Sequence, residues 1–170
     1  MRAPRWSWRL ALLASYVWVE AARSFHEALR RDPDLAMAHA GLARAYFRLD
    51  AMPEGRTHLE KAVALAGKAG DTTARAITEK ERGWILLLKQ QLDLGEAPAD
   101  KVEAARNAYR EAVRALVALD PADAHGWVQG GLATERGTWA IGQGGGIDAI
   151  AFYEAALVRD PRHIGAHHFP

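Results

Sequence analysis

Seven histidines and a run of glycines are the residues of this chain whose types invite chemistry. Near its end, "HIGAHH" places His163 and His167 four residues apart, with His168 adjacent. On a helix that spacing puts two imidazoles on one face, the arrangement a zinc site uses. No third ligand is identified, so the set is incomplete. A metal-dependent hydrolase built on His163, His167 and His168 is the enzymatic alternative, and it requires bound metal. "HEALR" at His26 lacks the second histidine of a metalloprotease helix. Serine is rare, and no Ser-His-Asp order can be defended. The 170 residues include no cysteine, which excludes a disulfide framework, a thiolate metal site and a cysteine nucleophile. The expectation is a non-enzyme without a cofactor or a resident metal.

The glycines stand in "GQGGGID", Gly142 to Asp148, directly ahead of an amphipathic helix. Glycines before a helix N-terminus cradle phosphate in many proteins. A Walker-type loop, however, follows a strand and ends in Lys-Ser or Lys-Thr, and neither feature is present here. A dinucleotide fingerprint needs a βαβ unit. Asp148 lies in the first turn of the helix, where it complements the dipole and repels an anion. Gly142 to Gly146 therefore read as an inter-helix turn.

The elements that position these residues follow from composition. Apolar residues make up 49% and charged residues 25% of the chain, as in a globular protein. Abundant alanine and arginine with few β-branched residues favour helix nearly everywhere. A formal net charge of +1 gives no footprint for nucleic acid. The start, "RAPRWSWR", is basic and aromatic, and reads as a frayed first helix with snorkelling arginines. Trp6, Leu10, Leu13 and Val17 form one helical stripe. The apolar run from Leu10 to Val19 is too short to span a bilayer and has no clean cleavage site, so a secretory signal is the weaker reading. A cytoplasmic location is expected, or a periplasmic one if that run acts as a signal.

Three segments end alike: "SFHEALRRDP", "AVRALVALDP" and "FYEAALVRDP". With Pro33 set on Pro161, Phe25 matches Tyr153, Ala28 matches Ala156 and Leu29 matches Leu157; the copy ending at Pro121 reads as shifted by one residue. Each proline closes a helix. Six residues after the prolines stand His39, Trp127 and His167, a packing position at the start of the next helix. Leu42, Ala43 and Tyr46 continue the pattern, and Leu59 and Ala62 fall where a second helix places its packing residues. Gly130 and Gly131 let a neighbouring helix come close. Between Leu65 and Pro121 a longer pair is expected. Its first helix carries Ala74, Ile77, Trp84, Leu88 and Leu92 on a stripe, and its second Val102, Ala105, Tyr109, Ala112, Val113, Leu116 and Leu119. Asp100 and Glu103 are placed to form a capping box for the second.

These positions resemble the tetratricopeptide repeat, a helix-turn-helix of roughly 34 residues with the signature W-x2-L-G-x2-Y, A-x3-F, P. The resemblance extends to large bacterial repeat proteins of unassigned function. It implies an all-α fold, a right-handed α-solenoid of stacked antiparallel hairpins forming one domain over residues 1–170, with an incomplete last hairpin from a longer array. It also implies a scaffold that binds a protein or peptide on its concave face. Arg44 and Arg48, four apart, would project together there, with Gln129 and Arg136 on the equivalent later helix. The bland alternative is a solvated charged face. The apolar surface beside Phe152, Ala156 and Leu157 is expected to lack a cover, which favours self-association; a subunit stacking through such ends is a third possibility.

Overall fold

The structure, a computed structural model, describes residues 17–67, 77–135 and 145–168. Among them every regular element is a helix: α1 (Trp18–Arg31), α2 (Ala36–Arg48), α3 (Met52–Gly67), α4 (Glu79–Glu96), α5 (Val102–Leu119), α6 (Ala124–Glu135), α7 (Gly145–Arg159) and α8 (Ile164–His168). The all-α expectation holds over these residues. The expected stripe residues Trp6, Leu10, Leu13 and Ala74 lie outside them. Two compact units are distinguished, one ending at Leu88 and the other beginning at Lys89.

In the first unit α1 packs on α2 and α2 on α3. The seam is made of small residues around two larger ones: Ala21, Phe25 and Ala28 from α1, with Ala38, Leu42 and Ala45 from α2. Phe25 lies so close to Gly41 that a Cβ there would sit 2.2 Å from its ring. On α3, Leu59 and Ala62 are buried as their positions in the pattern require, and Gly55 takes the ring of Phe47 in the same manner. Helix α2 ends through a left-handed residue, Asp50 (φ 61°), after which the Ala51 N–H donates to the Tyr46 carbonyl at 3.0 Å. The same carbonyl also accepts from the Leu49 N–H at 3.0 Å, so the end of the helix is closed by two bonds on one acceptor.

Helix α4 begins with a reciprocal cap. The Glu81 N–H donates to Thr78 Oγ1 (3.1 Å), while the Thr78 N–H donates back to Glu81 Oε2 (2.8 Å). Thr78 is the residue before Glu79, so Glu81 occupies the third helical position that a capping box demands. The box expected at Asp100 and Glu103 does not form. A turn closed by Lys101 N–H on the Pro98 carbonyl (2.8 Å) delays α5 until Val102, so the capping position belongs to Lys101 and Asp100 is one residue too early. Glu103 pairs instead with Arg106 at 2.6 Å. Replacing Thr78 with alanine should cost about 1 kcal/mol, the ordinary value of an N-cap side chain. A urea midpoint identical to the parent's would show that this cap contributes nothing.

In the second unit α5 packs on α6, α6 on α7, and the short α8 on both α6 and α7. Tyr109, Ala112, Val113 and Leu116 form the buried face of α5, as their spacing predicts, whereas Leu119 leaves that face and is 45% exposed. Gly130 and Gly131 do admit a neighbour: a Cβ on either would sit 2.3 Å from a ring atom, of Phe152 and Tyr153 respectively. The surface expected to lie bare beside Ala156 and Leu157 is covered in part by α8. Ala156 is buried in a cluster that includes Ala166 of α8, and Leu157 packs against that cluster. Among the described residues of α7 and α8, the large apolar side chains that are exposed are Ile150, Ile164 and above all Val158, 82% exposed.

The three Asp-Pro turns are built alike. In each, the aspartate N–H donates to a carbonyl four residues back, on Ala28, Leu116 or Ala156. Its own carbonyl then accepts from the N–H three residues on, of Leu35, Asp123 or His163. Eight and five residues before each proline the side chains are buried: Phe25 and Ala28, Val113 and Leu116, Tyr153 and Ala156. The copy ending at Pro121 is therefore in register with the other two, and the one-residue shift is corrected. Residue type had hidden this, because Val113 stands where the other copies have an aromatic ring.

Candidate functional site

Six residues past each proline, one ring performs one task. His39 Nε2 lies 3.0 Å from the Pro33 carbonyl oxygen, Trp127 Nε1 donates to that of Pro121 at 2.9 Å, and His167 Nε2 lies 2.8 Å from that of Pro161. A carbonyl oxygen only accepts, so each imidazole presents its Nε2–H there. The ring locks the turn to the first helical turn that follows it. At the middle site the Pro121 carbonyl also accepts from Arg159 Nε (2.6 Å), whose guanidinium lies 4.0 Å from the centre of the Trp127 ring.

Of the expected groove residues, Arg44 and Arg48 are on α2 in the first unit. Arg44 is half-buried, and Arg48 is exposed with its guanidinium 5.6 Å from the centre of the Trp18 ring. A cation over an indole face is held by the ring quadrupole, which limits where that side chain can point. Gln129 does not line an open surface. It is 1% exposed, and its Nε2 has no hydrogen-bond partner. Arg136 and Gly142 to Gly144 lie outside the described residues; α7 starts at Gly145, within the glycine run.

The terminal histidines do not share a helix face. His163 precedes α8, and its Nδ1 accepts from the Ala166 N–H (3.2 Å), so the imidazole caps the helix start. Its Nε2 lies 3.2 Å from Nδ1 of His125, and the two rings stack at 5.4 Å. His167 is turned to the Pro161 carbonyl. Among the described residues no three histidine or carboxylate side chains are grouped as a metal ion requires. No described helix is long and apolar enough to cross a membrane.

A cluster that spacing does not announce lies in the first unit. His26 of α1, His39 and Tyr46 of α2, and His58 of α3 come together. His39 Nδ1 is 2.9 Å from His58 Nδ1, and His26 Nε2 is 2.8 Å from Tyr46 Oη. His58 stacks on Tyr46 with ring centres 5.6 Å apart and meets His26 edge-on at 6.0 Å. Burial pushes the His39 imidazole below its ordinary pKa and the Lys61 charge acts with it, against the Pro33 carbonyl and the Asp34 carboxylate. Burial likewise lowers His58, followed by the neighbouring His39 and His26. His58 carries no sequence signal; it stands beside the packing residue Leu59, and only the α2–α3 hairpin brings it to His39. Comparison with protein-family models and with curated proteins returns no match for this chain.

Proposed function

We propose that the chain is a tetratricopeptide-like α-solenoid, a right-handed array of helical hairpins, that binds a protein or peptide segment without catalysing a reaction. The observation that carries this reading is the thrice-repeated Asp-Pro turn, with its ring-to-carbonyl bond at one fixed offset. A hairpin built that way is a unit of a repeat array, and arrays of this kind present their first helices to extended ligands. Helix α2 is such a first helix. Arg44 and Arg48 stand on it one helical turn apart, suited to a carboxylate-bearing or acidic segment through charge-assisted hydrogen bonds.

The reading is tested on a partner recovered by pull-down and identified by mass spectrometry, whose binding segment is then made as a peptide. Changing both Arg44 and Arg48 to alanine should weaken that peptide by about 10-fold or more, since a hydrogen bond to a charged group contributes about 1.5–3 kcal/mol. The melting temperature should stay within a degree or two of the parent's. Unchanged affinity would return both arginines to a solvated face.

A further inference from the structure

We propose that the first unit contains an acid-sensitive latch: the imidazoles of His26, His39 and His58 join α1, α2 and α3 while the His39–His58 pair shares a single Nδ1 proton, and loading both rings with protons releases the helices.

The geometry sets the proton count. His39 commits its Nε2–H to the Pro33 carbonyl, so in the neutral ring Nδ1 is left as an acceptor. The contact of 2.9 Å between the two Nδ1 atoms then needs one hydrogen, and His58 supplies it. If both rings are cationic, both Nδ1 atoms carry hydrogen and the contact becomes donor against donor. The hydrogen bond is then lost, and two like charges face each other at that distance. His26 differs, because a tyrosine hydroxyl can either donate or accept and its contact with Tyr46 survives protonation. What His26 contributes is a charge that opposes a proton on His58, with its ring centre 6.0 Å from that of His58.

The surroundings relieve this charge only in part, through the Pro33 carbonyl and the Asp34 carboxylate. Among the described residues, the charged and titratable groups around the pair are His26 on α1, Asp34 in the turn, Tyr46 on α2 and Lys61 on α3. Asp34 is the one carboxylate among them, and it already pairs with Lys61 at 3.2 Å. The imidazoles also run from exposed His26 through half-buried His58 to buried His39, so protons reach the cluster from solvent without the unit first unfolding. His39 and His58 are lowered in the folded chain, so the unfolded chain binds more protons in mild acid. Stability is then complete above the unfolded value of about 6.5 and is lost as pH falls from there through the lower folded values. Helix α2 also carries Arg44 and Arg48. If the binding reading above is right, acid would free the partner as well, but the latch does not depend on that.

The test compares thermal melts of the whole chain at pH 7.5 and pH 5.5. The parent should melt about 5 °C or more lower at the acid pH. His58→Gln keeps a neutral N–H for His39 and cannot titrate, so it should lose most of that difference. His39→Trp keeps the donor to Pro33, as Trp127 does at Pro121, and should respond less to acid as well. An equal drop in the parent and in both variants would overturn the proposal and move the acid response to other groups, and so would a parent that loses no stability. Proton NMR of the parent's imidazoles needs no variant. Two rings should stay neutral below pH 6.5 and then titrate together with amides of α2 and α3; seven independent titrations that leave those amides unmoved would also overturn it.

Discussion

Phe25→Ala should destabilise the first unit by about 3–5 kcal/mol, the cost of emptying a fully enclosed aromatic site. Phe25 is 0% exposed, and its ring occupies the space that a Cβ on Gly41 of α2 would need. Ring and glycine are therefore two halves of one contact. Gly41→Ala tests the other half. In an open helix alanine gains about 1 kcal/mol over glycine. Here the new methyl would meet the ring at 2.2 Å, and the ring has nowhere to go. Overpacking of this kind costs about 1–3 kcal/mol, so the balance should be a loss. In the double variant Phe25→Leu with Gly41→Ala, the smaller side chain makes room and the two effects should fall short of their sum. Chemical denaturation of the parent, Phe25→Leu, Gly41→Ala and the double variant gives the cycle. If Phe25→Ala melts within a degree or two of the parent, or Gly41→Ala is more stable than it, the α1–α2 seam is not held by this contact.

Much of this was legible because proline and glycine punctuate the chain. Pro33, Pro121 and Pro161 each fix the phase of the helix before and the helix after, so the packing positions around them can be counted off. His39, Trp127 and His167 were found that way, although nothing in the counting said that their ring N–H groups bond the proline carbonyls. Gly130 and Gly131 announced a close helix, and a close helix is there. Gln129 was read as a groove residue because a polar type at a first-helix position looks solvent-facing, whereas it is buried, and spacing alone does not show which polar positions the packing encloses. Capping was decided by a single residue of phase. Asp100 had the right type and the wrong position, while Thr78 and Glu81 had both. The imidazole contacts were not legible. His39 and His58 are 19 residues apart and His125 and His163 are 38 apart, and such separations carry no periodic signal.

Trp127→Ala should cost about 3 kcal/mol, the lower edge of the range for a buried indole, because the ring is only partly enclosed. Three interactions hold it. Its N–H donates to the Pro121 carbonyl (2.9 Å), the Arg159 guanidinium covers its face at 4.0 Å, and Phe152 flanks it with ring centres 6.1 Å apart. The first would be preserved by histidine, which makes the same bond at the equivalent sites after Pro33 and Pro161. Trp127→His should therefore recover roughly half of the loss: the bond, worth about 1 kcal/mol, and part of the ring area. Urea midpoints for the three proteins decide the matter. Equal stability of the alanine and histidine variants would mean that the carbonyl bond adds nothing and that the shared offset reflects ring area alone. An alanine variant as stable as the parent would put the indole on the surface, and the lock common to the three turns would be lost with it.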